Sequence, residues 1–249
     1  MNIREINVSK DILKNKGFFS LVQVTLTYFL KMAILPYYIL KIRITQFKNE
    51  DSLVDFAFNS IFCLLKPAQV KSEILSLIKM ISKEKPKNIL EIGTAKRGTL
   101  FLISKVLPKD SKIMTLDIRG GPFGGGYPLW RIPLYKSFIS EKQKLFLIRS
   151  NSHNKETFLK IKKLLNGEKL DFLFIDGDHT YKGVKKDFYL YNPLVRTGGL
   201  IALHDVAEHY NDLNCRVSQF WKELKKRYQY TEFIESKNQG WAGIGVIRK

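Results

Sequence analysis

The chain has 249 residues, a formal net charge of +19 at pH 7 and a hydrophobic content of 45%. This length suits one α/β domain with a sizeable core plus an N-terminal extension, and the hydrophobic content argues against long disorder. The two cysteines, Cys63 and Cys215, have no metal-type spacing, which argues against a disulfide framework and favours a reducing, cytoplasmic compartment. Because the positive charge is spread along the chain and not interleaved with aromatic residues, nucleic-acid binding is not expected.

Residues 18–40 form a strongly apolar segment with basic flanks, close to the length of ~20 residues that spans a membrane. The polar and acidic leader before it is unlike that of a secretory signal. Three interpretations stay open: a helix packed on the domain or in a homo-oligomer interface, a helix lying on the inner membrane surface, and a transmembrane span. The span fits least, because Lys31 would lie near its middle. We predict a helical, apolar extension over 1–64 and the main domain over 65–249.

Helical periodicity covers 51–84, and strands then alternate with helices to the end of the chain. This alternation predicts an α/β fold with a doubly wound, mostly parallel seven-stranded sheet and an N-terminal helical extension. The glycines at 198 and 199 predict a turn at 196–199, before the fifth strand. The predicted strands are 88–92, 112–117, 145–149, 171–175, 200–203, 230–234 and 243–247.

A glycine-containing loop follows the first strand of the sheet. Gly93 and Gly98 permit a tight turn and close approach of a ligand to a helix N-terminus, but their spacing is neither the dinucleotide fingerprint nor a P-loop. Asp117 ends the second strand, where an acid accepts hydrogen bonds from both ribose hydroxyls of a nucleoside. Together with Glu91 at the end of the first strand, these residues predict a nucleoside cofactor without a pyrophosphate.

Acids and histidines follow two further apolar strands. Because the carboxyl ends of parallel strands meet at one edge of a sheet, these side chains should share a single crevice. Such a group predicts a metal or acid–base site. Its members are Asp176, Asp178, His179, His204 and Asp205.

The glycine loop with Asp117 resembles class I S-adenosylmethionine-dependent methyltransferases. The stretches 120–130, 174–187 and 193–205 are similar to the branch that includes cephalosporin hydroxylase-type and rhamnosyl O-methyltransferase-type proteins, and the similarity covers roughly 65–249. The resemblance implies a Rossmann-like methyltransferase domain, S-adenosylmethionine as cofactor, and O-methylation of a sugar or small-molecule hydroxyl. The implied cofactor-binding residues are Glu91, Gly93, Thr94, Gly98, Asp117, Ser150, Asn151 and Asp176.

Relatives of this family often hold Mg²⁺ with carboxylates from the same two strand ends. Asp178 and Asp205 are therefore the preferred ligands for Mg²⁺ or another divalent metal, with His204 and Asp176 as candidate additional ligands. The imidazole would favour Mn²⁺, Fe²⁺ or Zn²⁺. Asp178 and His179 are the expected catalytic residues, with His179 as general base because its pKa should lie near the working pH. Two alternatives stay open: one of the acids caps the helix that begins near Tyr181, and His204 is a hydrogen-bonded core residue.

The loop at 120–130 is long enough to be a lid over the substrate, with Tyr127 and Trp130 stacking on a ring. Two other functions also stay open. One is a nucleotide-dependent oxidoreductase on the same architecture, against which the absent middle glycine counts. The other is a non-catalytic, basic membrane-surface protein that kept the fold. A small-molecule or glycan substrate and a homo-oligomer are expected partners.

Overall fold

The computed structural model describes residues 3–95, 98–118, 120 and 125–249, and side chains from residue 18 onward within those ranges. The chain forms two compact units, Met1–Thr45 and Gln46–Lys249. The predicted boundary between residues 64 and 65 stays a prediction about domain organisation.

The first unit consists of helices α1 (Ile3–Ala33) and α2 (Leu35–Ile44), with Pro36 in the first turn of α2. In the described residues, no single helix is long and apolar enough to cross a membrane. The segment Phe18–Ala33 and α2 meet that criterion only together, as a pair bent by 43°.

The second unit contains a seven-stranded sheet in the order β3-β2-β1-β4-β5-β7-β6. The first five strands are parallel, and β7 pairs antiparallel with both β5 and β6, which confirms the predicted fold class. The strands are β1 (Asn88–Ile92), β2 (Lys112–Leu116), β3 (Lys144–Ile148), β4 (Leu170–Ile175), β5 (Val195–His204), β6 (Gln229–Phe233) and β7 (Ile244–Arg248). The helices are α3 (Glu50–Phe58), α4 (Lys71–Glu84), α5 (Gly98–Val106), α6 (Ile132–Lys136), α7 (Lys155–Leu165), α8 (Tyr181–Tyr191) and α9 (Val217–Leu224).

Alternate strand residues face opposite sides of the sheet, so each strand supplies two cores. Leu90 and Leu173 belong to the side on which α7, α8 and α9 pack, where Trp221 and Phe188 are fully buried. Their neighbours on the other side are equally buried, which explains why the central strands read as continuous apolar runs.

The predicted turn at 196–199 is wrong, because these residues belong to β5. Leu170 pairs with Val195 and Phe172 with Leu200, so three extra residues bulge out of β5 at this point. Gly198, at φ +75, and Gly199 bond to the backbone of Lys249 instead. The glycines therefore mark a bulge within a strand, which a sequence pattern does not distinguish from a turn.

The order of the strands places the site. The connections reverse direction between β1 and β4, and the carboxyl ends of the strands beside such a reversal bound a crevice. The loops after β1, β2, β4 and β5 meet there.

Candidate active site

A cavity of about 160 Å³ opens at the carboxyl ends of β1, β2 and β4. Residues from the predicted cofactor side and from the predicted metal side line the same space. The predicted site residues in its wall are Gly93, Asp117, Ser150, Asn151, Asp176, Asp178 and His179.

Asp117 forms the buried acid of the cofactor side and is only 4% exposed. Its backbone N–H donates to the Ile148 carbonyl at 3.0 Å, which continues the β2–β3 pairing one residue beyond the strand. Gly125, at φ +78, passes so close that a Cβ would lie 3.2 Å from Asp117 Oδ1. The loop that follows β2 thus folds back over the carboxylate.

Ser150 and Asn151 line the cavity, and their predicted contact with the cofactor stays a prediction. The Ser150 hydroxyl shares a hydrogen bond of 2.7 Å with the Thr157 hydroxyl, and Asn151 Oδ1 accepts from the His153 backbone N–H at 2.8 Å. These bonds fix the turn between β3 and α7, so that its side chains are held in place before any ligand arrives.

The two glycines of the loop after β1 contact different parts of the protein. Gly93 has φ +95, and a Cβ there would lie 1.8 Å from the Asp176 carbonyl oxygen. Because the loops after β1 and β4 cross at this point, only glycine fits. Gly98 instead faces Pro67, where a Cβ would lie 2.2 Å from the backbone nitrogen. Gly98 packs α5 against the chain that precedes α4, and its predicted contact with the cofactor stays a prediction.

Glu91 and Thr94 are buried beside the cavity and are not among its wall residues. The Thr115 hydroxyl donates to Glu91 Oε2 at 2.9 Å and contacts the Thr94 hydroxyl. Burial raises the pKa of Glu91 to about 8, with added effect from the charges of Asp176 and Asp117 and against the opposing hydrogen bond from Thr115. Glu91 is therefore mainly protonated at neutral pH, and its predicted cofactor contact also stays a prediction.

Asp205 is the centre of the opposite side. It is 4% exposed and adopts φ +63, a conformation that non-glycine residues rarely take. Its Oδ2 lies 2.5 Å from His179 Nδ1. Its Oδ1 lies 3.2 Å from His204 Nδ1 and 3.1 Å from His209 Nε2.

Asp176 completes this group. Its Oδ1 lies 3.1 Å from His204 Nδ1, and its Oδ2 accepts from Gln69 Nε2 at 3.2 Å. Gln69 is in turn fixed by the Thr99 hydroxyl, which donates to Gln69 Oε1 at 2.8 Å. Asp176, His204 and Asp205 each present an atom within 4.8 Å of the others, which is the spacing of a metal centre.

The structure places Asp178 differently from the predicted ligand role. Asp178 Oδ1 accepts from the Thr180 backbone N–H at 3.0 Å and from its hydroxyl at 2.8 Å, and Thr180 caps α8. A Cβ on Gly183 would lie 1.9 Å from the Asp178 carboxyl carbon. Asp178 thus lies over the first turn of α8, which favours the capping interpretation. Asp176 takes its place beside His204 and Asp205.

His179 also differs from the predicted base with a pKa near neutrality. Burial lowers the pKa of His179, but hydrogen bonds with Asp205 and Cys215 and the charges of Asp176 and Asp205 outweigh it and raise the value to about 10. In the metal-free protein this ring is therefore an imidazolium at neutral pH. The sequence placed His179 in one crevice with acids from two strand ends, but it did not show that two of these acids would keep the ring protonated.

All four histidines of the chain lie at this crevice, and the sequence analysis assigned a role to only two of them. His153 lines the cavity, and its Nε2 lies 3.2 Å from Oδ1 of the fully buried Asp187. His209 contacts Asp205 from the loop after β5. Gln69 was not predicted either, because a glutamine ahead of a helix forms no recognisable pattern. For His153 and His209, the available signal was that the chain has only four histidines.

The predicted lid falls partly on residues 121–124, which lie outside the described residues. Tyr127 is buried, and its ring centre lies 4.9 Å from that of Tyr135. Arg149 also lies over the Tyr127 ring, at 5.4 Å. Tyr127 therefore anchors the end of this loop, and stacking on a substrate ring stays a prediction for Trp130.

Residues 90–206 match a family model described as a methyltransferase domain. Among curated proteins, the chain is 32% identical over 128 residues to Tapetum-specific methyltransferase 1 of Arabidopsis thaliana, a match that covers 51% of this chain and 48% of that protein. It is 40% identical over 62 residues to an uncharacterized protein of Acanthamoeba polyphaga mimivirus, covering 25% and 27%. The chain thus spans less than half the length of these two relatives.

Solved structures share the fold at low identity. An O-methyltransferase from Bacillus cereus in complex with SAH is 18% identical, with a TM-score of 0.56 and coverage of 86% of this chain and 96% of that one. An O-methyltransferase from Streptomyces achromogenes in complex with SAM is 17% identical, with a TM-score of 0.52 and coverage of 82% and 91%. With the observed strand order, these likenesses confirm the predicted methyltransferase fold, and residues 90–206 match a methyltransferase domain.

Proposed function

We propose that this protein transfers a methyl group from S-adenosylmethionine to a hydroxyl oxygen of a sugar or other small molecule, with the help of a divalent metal ion. One observation carries the proposal: a single cavity has Asp117 on one wall and Asp176 and His179 on another. A cofactor held at the first wall brings its methyl group towards groups that can bind and deprotonate an acceptor. The matching methyltransferase domain and the cofactor-bound structural relatives support this assignment.

The residues around Asp117 fit the nucleoside part of the cofactor. A buried carboxylate at the end of the second strand suits the two ribose hydroxyls, because each can donate to one of its oxygens. The backbone at Gly93 has no Cβ, so the amino-acid part can approach closely. Ser150, Asn151 and His153 offer polar contacts in the same wall. The spacing of Gly93 and Gly98 lacks the middle glycine of the dinucleotide fingerprint, which counts against the oxidoreductase alternative.

The group of Asp176, His204 and Asp205 fits an octahedral divalent ion. Neighbouring ligands of an ion bonded at about 2.1 Å lie about 3.0 Å apart. His204 Nδ1 lies 3.1 Å from Asp176 Oδ1 and 3.2 Å from Asp205 Oδ1. The two carboxylates suit Mg²⁺, and the imidazole makes Mn²⁺ or Fe²⁺ better suited. An ion held there would lower the pKa of an acceptor hydroxyl.

The reaction forms a bond between the hydroxyl oxygen and the methyl carbon while the carbon–sulfur bond breaks, and its electron pair goes to sulfur. The hydroxyl proton must leave. His179 lines the cavity, and Asp205 holds its Nδ1. A divalent ion bound beside Asp205 would offset the acidic charges that keep His179 protonated, so that the neutral ring could accept that proton. Gln69 fixes Asp176, and the protein's main contribution is to align the acceptor oxygen with the methyl carbon.

Calorimetry with S-adenosylhomocysteine tests the cofactor assignment. Asp117→Ala should weaken binding at least about tenfold, because two charge-assisted hydrogen bonds are lost. Asp110→Ala is the matched control, since it removes an acid that is exposed and paired with Lys87. Equal binding by wild type and Asp117→Ala would remove the ribose role. Binding of NAD without binding of S-adenosylhomocysteine would establish the oxidoreductase instead.

For residues 18–40 we propose contact with an anionic membrane surface. Within the first unit, large apolar side chains are exposed along both helices, and Lys31, Lys41 and Arg43 add positive charge. Apolar burial combined with attraction to anionic lipid is the usual basis of peripheral binding. The exposed apolar residues are Phe18, Phe19, Val22, Val24, Leu26, Phe29, Leu30, Met32, Tyr37, Leu40 and Ile44.

Flotation of the full chain with anionic and with neutral vesicles tests this contact. Binding to the anionic vesicles should fall with added salt and after Phe19→Ser together with Phe29→Ser. A chain that stays unbound and sediments as a dimer would instead place the segment in a homo-oligomer interface. A segment that neither binds vesicles nor dimerises would contradict both.

A further inference from the structure

A second group of metal-binding side chains lies on the far side of Asp205. His179, Asp205 and Cys215 each present a ligand atom within 4.8 Å of the others. Asp205 is 4% exposed and Cys215 is 5% exposed. His179 lines the cavity, so an ion has a route from solvent to this otherwise buried group.

This group differs chemically from the Asp176 group. The two oxygens of Asp205 point different ways: Oδ1 lies near His204, and Oδ2 lies 2.5 Å from His179 Nδ1. One carboxylate can therefore serve both groups with different atoms. The second group adds a sulfur ligand, which Mg²⁺ does not favour and Zn²⁺ does.

We propose that His179, Asp205 and Cys215 form a binding site for a borderline-soft divalent ion of the Zn²⁺ type. One nitrogen, one oxygen and one sulfur leave the fourth position of a tetrahedron for water. The Cys215 thiol and His179 Nδ1 each give up a proton to solvent as the ion binds. Tetrahedral ligands around such an ion lie about 3.3–3.8 Å apart, so small side-chain movements suffice.

The surrounding residues support the site. His209 lies 3.1 Å from Asp205 Oδ1 and hydrogen-bonds with Cys215, so it orients two of the three ligands. The Arg216 backbone N–H donates to the His179 carbonyl at 2.8 Å, which fastens the loop after β4 to the segment that carries Cys215. Residues that hold ligands in this way commonly contribute 10–100-fold, roughly, to metal affinity.

The site has a consequence that rests on the proposed function. An ion bound to His179 and Asp205 takes the cavity-facing imidazole and one oxygen of a proposed Mg²⁺ ligand. Zn²⁺ should therefore inhibit methyl transfer even when Mg²⁺ is in excess. Zn²⁺ at this second group would thus regulate the activity that depends on Mg²⁺ at the first.

Titration of the reduced, metal-free full chain with Co²⁺ tests the site without using methyl transfer. A thiolate bound to Co²⁺ gives a charge-transfer band in the near ultraviolet. Wild type and Cys63→Ser should both show this band at one Co²⁺ per chain, since Cys63 is the exposed second cysteine. Cys215→Ser should lose it, and Zn²⁺ but not Mg²⁺ should abolish it in wild type.

His209→Gln provides a second variant that keeps every ligand. It should retain the band with affinity lower by about 10–100-fold, so the test survives if Cys215→Ser does not fold. No band in wild type, or an equal band in folded Cys215→Ser, overturns the proposal. If the wild type shows the band but does not bind S-adenosylhomocysteine, only the proposed function is overturned.

Discussion

The two walls of the active-site cavity are built in different ways. The wall that carries Asp117 consists of that acid, the backbone turns at Gly93 and Gly125, and the short loop with Ser150 and Asn151. These parts follow β1, β2 and β3. The wall that carries Asp176 and His179 is a network of three chain segments. Gln69 donates to Asp176, while the adjacent residues His204 and Asp205 contact Asp176 and His179. Substitutions in the first wall should therefore have separate, roughly additive effects. Substitutions in the second wall should depend on one another, because its residues share contacts.

Replacing each of the two acids of the loop after β4 in turn should give the largest effect, which is on methyl transfer, and should separate their roles. Asp176→Asn removes a carboxylate that faces His204 and is fixed by Gln69, and we expect methyl transfer to fall at least about a hundredfold, since even outer residues of metal sites are worth 10–100-fold, roughly. Asp178→Asn is the matched control and should lower activity less than about tenfold. Rates measured with and without chelator decide this. Equal losses in the two variants would restore Asp178 as a ligand.

Gly93→Ala should break the contact between the two walls. The new Cβ would meet the Asp176 carbonyl, so the loops after β1 and β4 must separate. We expect the free energy of unfolding to fall by about 3 kcal/mol or more, since overpacking adds to the penalty of a positive φ. Gly167→Ala is the control, because it has φ +86 and nothing within 4 Å of the added carbon, and should cost only about 1–2 kcal/mol.

Urea unfolding of both glycine variants measures the difference. If Gly167→Ala is as destabilised as Gly93→Ala, backbone strain alone explains both losses. The close approach of the loops after β1 and β4 would then add no further cost.

The first wall was largely predictable from sequence, and the second was not. Asp117, Gly93 and Ser150 each lie just beyond a strand, so a correct strand prediction already placed them. The choice between Asp176 and Asp178 depended on which carboxylate turns towards α8, and that is decided by Gly183 and Thr180 further along the chain. Cys215, His209 and Gln69 reach the site through loops or helix ends that have no periodic pattern, so only the fold brings them together.

Glu91→Gln should change how stability depends on pH at the buried edge of the first wall. The folded-state pKa of Glu91 is raised to about 8 from an ordinary value of 4.5. Its favourable contribution is therefore complete below pH 4.5 and is lost as the pH rises through 8, at up to about 1.4 kcal/mol per pH unit. Urea unfolding at several pH values should show the wild type losing stability relative to Glu91→Gln across this window. Parallel curves would mean that Glu91 is ionised in the folded protein.

The smallest effect should come from the support that Asp178 gives to Thr180, the cap of α8. Asp178→Ala removes an acceptor for the Thr180 N–H and hydroxyl at the start of α8, and loss of a cap typically costs about 0.5–2 kcal/mol. Asp178→Asn keeps an acceptor oxygen and should recover most of this stability. If both variants unfold alike while only Asp178→Ala changes the affinity for S-adenosylhomocysteine, a side-chain oxygen of Asp178 contacts the cofactor. A stability loss with unchanged affinity would establish that the second acid of the loop positions the helix, which leaves Asp176 as the acid that joins the two walls.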